Sequence, residues 1–322
     1  MFTPNRRALL GTLALAPFGA RAQAPFPNRQ VRIVVPYAPG GPSDIISRVL
    51  AEGLFRRWGQ SVVVENRPGA GSAIGTEIVA RAAPDGYSVL LAATAHVMNP
   101  ALITRLPFDP VRDFTPIINA AFHPMVLVVN PALPIHSLAD FIAAARARPG
   151  GLTMSSAGVG NASHLATALF ALEAGIELTH VPFNGAAPAQ ASVVSGQVNG
   201  GFLNSTVATP MIRSGQMRGI TVAHAQRWRE LPELPTTTEL GYPGVQAGSW
   251  YGWLGPANLP PAILTTLHAS MRAVLQEPAT QQKILAAGLD PMDEGPDAFA
   301  TRIAAETQNW ARVVRAAGIR QE

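Results

Sequence analysis

The stretch Val31-Arg-Ile-Val-Val-Pro-Tyr-Ala-Pro-Gly-Gly-Pro-Ser-Asp44 constrains this chain more than any other. An apolar run the length of one strand ends at Pro36, and a helical pattern runs from Ile45 to Trp58. Between them Pro36, Pro39 and Pro42 fix φ and lack an N–H, while Gly40 and Gly41 let the backbone approach a ligand. Ser43 or Asp44 stands where it can cap the helix, whose first amides form a ready anion site. The segment reads either as a plain strand-turn-helix corner or as a strand that delivers a bare-backbone loop and a helix N-terminus to one point.

Strand-like runs and helical patterns then alternate almost to the end. Strands are predicted at Ser61–Glu65, Tyr87–Ala92, Pro124–Asn130, Leu152–Ser156, Glu177–Val181, Gly201–Asn204, Arg218–Ala223 and Trp250–Gly255. Helices are predicted after the turn Arg67–Gly75 as far as Ala83, and over Ser137–Arg148, Ala162–Ala174, Ala262–Gln276 and Asp297–Ala317. Such β-α-β order implies parallel sheets with helices on both faces, in which ligands bind at the carboxyl ends of strands. A second strand-loop-helix unit, Leu152-Thr-Met-Ser-Ser-Ala-Gly-Val-Gly-Asn-Ala-Ser-His164, repeats the first design with two glycines and three serines. Two such corners predict two similar lobes, each giving one wall of a cleft.

The N-terminus is set apart. Arg6 and Arg7 precede the apolar Ala8–Phe18, and Gly19-Ala-Arg-Ala-Gln-Ala24 offers small-residue cleavage sites, the layout of a secretory signal. Residues 1–24 are assigned to it, with cleavage after Ala22, by the general secretory or the twin-arginine route. Ala8–Phe18 is too short for the roughly 20 residues that a membrane span needs. Loss of Arg6, Arg7 and Arg21 lowers the formal charge from +4 to +1, which removes the support for a nucleic-acid partner. The absence of cysteine excludes disulfides, thiolate metal sites and a cysteine nucleophile.

Catalytic and nucleotide motifs are weak. Gly69-Ala-Gly71-Ser-Ala-Ile-Gly75 approaches a dinucleotide fingerprint, but its last spacing is too long and no ribose-binding acid follows. Its glycines read as a turn and a tight helix contact. No Gly-x-Ser-x-Gly elbow and no phosphate-binding Gly-x-x-x-x-Gly-Lys loop occurs. The seven histidines include no i, i+4 pair for a metal. His164, in the first turn after Gly158 and Gly160, reads as a neutral ring bonding the loop backbone or as a ligand contact. Asp44 reads as a helix cap rather than a base, and Trp250, Tyr251 and Trp253 as core packing.

Together these segments resemble the Bug family of periplasmic solute-binding proteins, receptors of tripartite tricarboxylate transporters. The resemblance rests on Val34–Asp44, Val64-Glu-Asn-Arg-Pro-Gly-Ala-Gly71, Ala83-Pro-Asp-Gly-Tyr87, Asn99-Pro-Ala-Leu102, Ser156–Gly160 with Ser163-His164, His180-Val-Pro-Phe-Asn-Gly185 and Leu234-Pro-Thr236. It implies an α/β, two-lobed type II periplasmic-binding fold, with two doubly wound sheets joined by a hinge, closing like a flytrap on a small carboxylate. Lobe 1 would comprise 25–122 plus 226–322 and lobe 2 residues 123–225, with crossings near Ala120–His123 and His224–Arg227. Carried onto this chain, the carboxylate site comprises Tyr37, Ala38, Pro39, Gly40, Gly41, Ser43, Asp44 and Thr94 in the first lobe. Ser156, Ala157, Gly158, Gly160, Asn161, Ser163 and His164 form its second jaw. Phe183, Asn184, Gly185, Ala186 and Asn204 would line the distal end.

The resemblance further implies a periplasmic monomer without catalysis, cofactor or metal, whose partners are a small carboxylate and the permease subunits of a tripartite transporter. Two departures bear on the ligand. Leu203 stands where many relatives carry an acid, and Asn184 where many carry a lysine, so a less polar carboxylate, such as an aromatic or nicotinate-like monoacid, is expected. Two other readings remain. One is a periplasmic sensor serving a histidine kinase, and the other an enzyme on the same fold using Ser163 with His164. Neighbouring residues on a helix point about 100° apart, which places that pair poorly for proton transfer.

Overall fold

The first apolar run becomes β1 (Val31–Val35), and the computed structural model, which describes residues 26–319, builds a mixed α/β molecule outward from it. The expected export segment, residues 1–24 with cleavage after Ala22, lies outside the described residues. After β1 come α1 (Pro42–Trp58), β2 (Val62–Asn66), a 3-10 turn (Ala70–Ser72), α2 (Ala73–Ala80), β3 (Ser88–Ala93) and α3 (Ala95–Leu102). A long strand, β4 (Phe114–Val129), leads to α4 (Leu138–Ala147), β5 (Thr153–Ser156), α5 (Ala162–Ala174), β6 (Thr179–Pro182) and α6 (Ala186–Val194). Then follow β7 (Gly200–Asn204), α7 (Ser205–Arg213), β8 (Arg218–Val222), β9 (Gly248–Pro256), α8 (Pro261–Leu275), α9 (Pro278–Ala286), β10 (Asp290–Glu294) and α10 (Pro296–Ala316). Among these residues no helix is long and apolar enough to cross a membrane.

The strands run in the order β2-β1-β3-β9-β4-β7-β5-β6, with β8 and β10 also paired to β4. The two expected sheets are therefore joined into one ladder through a shared strand. Phe114–Pro124 of β4 pair with β9, and Met125–Val129 pair with β7. The partners change at Pro124, which has no N–H to give a ladder. The expectation of parallel sheets is corrected: β2-β1-β3 and β6-β5-β7 are parallel, whereas β9 and β4 are antiparallel to their neighbours. β4 and β9 carry the chain between the two halves and so run against the strands that end at the loops.

Burial explains why these runs are strands. Val31, Ile33 and Val35 enter one apolar cluster with α1 and α8, while Val34 enters another with α3 and α10. In the second half Met125, Leu127 and Val129 face one cluster and Val126 and Val128 the other. A sheet covered on both faces gives continuous apolar runs with period-two sorting. Helix α5 serves both halves, since Ala166 and Phe170 pack within the second and Leu165 and Leu169 against α10 of the first. Arg312 on α10 and Glu173 on α5 pair at 2.9 Å across the same contact.

Several elements were not foreseen. β4 begins at Phe114, ten residues before the expected Pro124 start, and accommodates Pro116 at a register shift. Helices α3, α6, α7 and α9 and strand β10 were missed; α3 and α7 contain Pro100 and Pro210, which read as breakers. The segment 226–247 packs with the second half: Trp228 and Leu231 lie with Val126 and Val128, and Val245 and Ala247 with Met125 and Leu127.

Candidate functional site

The carboxyl ends of β1, β3 and β5 meet at a cleft of about 620 Å³ between the two halves of the sheet. Four helices begin on its wall. Ser43 belongs to the first turn of α1, Ser72 and Thr94 immediately precede α2 and α3, and Asn161 caps α5, its Oδ1 accepting the Ser163 amide at 2.8 Å. Each helix N-terminus carries roughly half a positive charge. Among the described residues no Asp, Glu, Lys, Arg or His lines this cleft. Its polarity comes from Tyr37, Ser43, Ser72, Thr94, Asn99, Asn161, Ser249 and Tyr251, and its apolar surface from Pro36, Ala38, Pro68, Met98, Leu102 and Val159.

The first loop is braced from behind. Helix α1 is capped by Gly41 with Pro42 in its first turn, so neither Ser43 nor Asp44 is the cap. The cap reading of Asp44 is corrected: it lies inside the first turn, and its Oδ2 accepts the Gly40 amide at 3.0 Å. Arg48 pairs with the same carboxylate at 2.9 Å, and Asn66 donates to Asp44 Oδ1 and to the Tyr37 carbonyl, both at 3.1 Å. The Arg48 hydrogen bond, outweighing burial, holds the Asp44 carboxyl below the usual carboxylate range. Gly75 presses α2 onto this loop, where an added Cβ would lie 2.7 Å from the Arg67 carbonyl and 2.8 Å from Pro36. That close approach is the tight helix contact read from its sequence.

On the floor, enclosure pushes the Tyr37 hydroxyl up to about 12 against a hydrogen bond with Ser72. The Tyr251 hydroxyl is also raised, by burial first and by the nearby Tyr37 second, and it meets His123 Nε2 at 3.2 Å. Burial lowers His123 to about 4, so the ring is neutral and both phenols keep their protons at neutral pH. Thr94 pins β3 to the start of β9, accepting the Trp250 amide at 3.1 Å and donating to the Gly248 carbonyl at 3.3 Å. Trp250, Tyr251 and Trp253 are buried as expected, and Tyr251 also lines the cleft.

The second loop engages its own amides. Ala157 N–H donates to Ser163 Oγ (3.2 Å), Gly158 N–H to Ser156 Oγ (3.2 Å) and Gly160 N–H to His164 Nδ1 (3.1 Å). Gly158 sits at φ +134° and Gly160 at φ +72°, both in the region that favours glycine. His164 thus bonds the loop backbone, one of its two readings. Ser163 Oγ donates to Asn161 Oδ1 at 2.7 Å, and no Ser163–His164 hydrogen bond is present among the described residues.

Of the residues nominated from sequence, Tyr37, Ala38, Ser43, Thr94, Ala157, Gly158, Gly160 and Asn161 share the cleft wall. Pro39, Gly40, Gly41, Asp44, Ser156, Ser163, His164, Phe183, Asn184, Gly185, Ala186 and Asn204 are not on it in this arrangement. Ser72, Asn99, Ser249 and Tyr251 line it without having been nominated. Asn99 opens a quoted motif, and the φ of +133° and +61° at Gly69 and Gly71 marks the turn that carries Ser72, so two of these had a signal.

Comparison with known proteins bears on the geometry. A family described as the tripartite tricarboxylate transporter family receptor, TctC, matches residues 46–319. Protein BugT of Bordetella pertussis is 36% identical over 295 residues, covering 91% of this chain and 90% of that protein. The solved structure of R. palustris Rpa4515 with adipate is 34% identical, covers 92% of this chain and all (100%) of its own, and superposes with a TM-score of 0.75. A TctC solute-binding protein from Polaromonas, solved with no ligand, is 26% identical, covers 90% of this chain and 99% of its own, and gives 0.83. The chain belongs to the tripartite tricarboxylate transporter receptor family.

Proposed function

We propose that this protein is a periplasmic receptor that captures a small carboxylate in the cleft and delivers it to the membrane subunits of a tripartite transporter. The observation that carries this reading is the convergence of four helix N-termini and a set of hydroxyls on a cleft without charged side chains. Fixed amide dipoles stabilise an anion there without a cation. The carboxylate sits between the Tyr37–Ser43 and Ala157–Asn161 loops, held by the wall hydroxyls and the helix N-terminal dipoles while the loop amides keep their side-chain acceptors. The rest of the ligand lies on Pro36, Met98, Leu102 and Val159, which favours a monoacid with an apolar body. The separated Ser163 and His164 support a non-catalytic role.

The lobe boundary we propose lies at Pro124/Met125, where the pairing of β4 changes, and at Ala247/Gly248, a placing supported by the packing of residues 226–247 with the second half. Ligand shifts the population toward closure by binding the closed form better. A thermal-shift screen with small mono- and dicarboxylates tests the reading, since a ligand at 100 times its Kd adds about 2.7 kcal/mol. No stabiliser in a broad carboxylate panel would overturn it. Calorimetry showing tight binding of a dicarboxylic amino acid and none of monoacids would overturn the monoacid assignment.

A further inference from the structure

Behind the second loop, on a groove separate from the cleft, two imidazoles lie face to face. The rings of His164 on α5 and His180 on β6 are 3.5 Å apart and 4° from parallel. Each touches the loop. His164 Nδ1 accepts the Gly160 amide, which places its proton on Nε2. His180 Nε2 lies 2.5 Å from Ser156 Oγ, the oxygen that also accepts the Gly158 amide and donates to the Gly158 carbonyl at 3.0 Å. The serine proton serves either that carbonyl or His180, whose ring nitrogen takes the complementary role. Groove, histidine stack, Ser156 and loop form one chain of contacts ending at the cleft.

We propose that His180 is a positioning residue that, stacked on His164, latches the Ser156–Gly160 loop in its ligand-ready shape, and that protonation of the stack releases it. The proposal rests on the reading of this loop as one jaw of the carboxylate site. A proton on His164 Nδ1 abolishes its acceptor role toward Gly160. A cation there also opposes the N-terminal end of α5, in whose first turn His164 stands. Two cations at the ring spacing repel strongly in a half-buried site. Burial already lowers both imidazoles, His164 to about 4, with His180 adding to the shift.

The surroundings offer little to neutralise such charge. Glu177 is the one other titratable group on the groove wall among the described residues, α10 contributes only Ala316 and Ala317, and neither imidazole has an ion pair. Simple attraction between an imidazolium and a carboxylate would strengthen binding in acid. The latch predicts the opposite, so the two accounts separate by sign.

The test is hydrogen exchange of the ligand-free protein between pH 7 and pH 5, corrected for intrinsic rates. Exchange at Gly158 and Gly160 should rise by about tenfold, while α8 amides, which report global opening, stay fixed. His180→Gln keeps a hydrogen-bond partner for Ser156 and does not titrate, so Gly158 should be protected at pH 7 and indifferent to pH, whereas Gly160, bonded to the still-titratable His164, should keep its response. His180→Leu should leave the loop unprotected at both. A wild-type loop indifferent to pH, or a His180→Gln variant whose Gly158 responds like wild type, overturns the latch. If a variant fails to fold, the wild-type imidazole resonances decide, because their titration midpoint must coincide with that of loop exchange. These readouts need no ligand. A loop that unlatches in a protein that binds no carboxylate would sink the receptor reading and leave the latch standing. Affinity for benzoate and nicotinate, as probes, should fall with the same midpoint.

Discussion

Replacing Gly158 by alanine separates backbone strain from steric blockage at the proposed carboxylate loop. Gly158 holds φ at +134°, and a Cβ built there meets only the Phe183 carbonyl, at 3.8 Å, an ordinary contact. The substitution therefore clashes with nothing and pays only for its conformation, about 1–3 kcal/mol. The free loop can escape that cost by rotating φ to a negative value and giving up the Gly158–Ser156 hydrogen bond. The ligand-ready loop cannot, if it keeps the observed turn, so the same 1–3 kcal/mol reappears in binding as about a 5- to 150-fold loss of affinity. Calorimetric titration of wild type and Gly158→Ala with the strongest stabiliser from the carboxylate screen measures the ratio, and a melt reports any loss of fold. Gly158→Val, which adds bulk at the same place, should weaken binding further. Gly241→Ala, at φ +90° with nothing within 4 Å of its added Cβ and away from the cleft, is the matched control for a left-handed glycine. Unchanged affinity for Gly158→Ala would show that the loop does not hold this turn in the complex, and that the proposed jaw is misplaced.

Three further outcomes are expected. His96 and His123 are buried and neutral, each lowered by burial to about 4, so stability is full above the unfolded value near 6.5 and is lost as pH falls from there to about 4. Each contributes about 3 kcal/mol to that loss by the time pH reaches 4, and urea melts of wild type and of His96→Gln should show the slope decrease. Thr94→Val removes both bonds that pin β3 to the start of β9, and ligand affinity should drop by about tenfold while Thr94→Ser keeps it. Equal affinities in the two variants would exclude the pin. Gly75→Ala forces α2 off Pro36 and Arg67, and its melt should show a loss of about 1–3 kcal/mol, because both neighbours are backbone or a rigid ring.

The first half of the fold was open to reading because its residues report their surroundings locally. Val31 to Val35 form a sheet strand covered on both faces, and the helix after Gly41 carries its apolar stripe in sequence. β4 was half hidden, since Pro116 and Pro124 look like breaks until the register shift and the change of partners show why they are tolerated. Pro100 and Pro210 concealed α3 and α7 in the same way. At the site, the glycine loops were legible as bare backbone, but the acceptors that occupy their amides were not. The return of Asp44 to Gly40, and the placing of Ser156 between Gly158 and His180, depend on side-chain directions that spacing does not encode. Ser249 and Tyr251 reach the cleft because β9 inserts between β3 and β4, a pairing more than a hundred residues removed in the chain. Residues 226–247, which pack with the second half, carry no strong periodicity.

That insertion of β9 has a consequence for how the molecule is made. β9 is the central strand of the first half, hydrogen-bonded to β3 on one side and β4 on the other, yet it follows the whole of the second half in sequence. A chain emerging from its N-terminus can close the second half first, since β5, β6, β7 and β8 are all present by Val222. Until Gly248–Pro256 arrives, β3 and β4 of the first half have open edges, the kind that pair with other chains. Assembly is thus ordered from the inside of the sequence outward, and a chain truncated before β9 should carry a finished second half beside a sticky, unfinished first one. The strand that both walls of the cleft depend on is also the piece that closes the facing edges of β3 and β4.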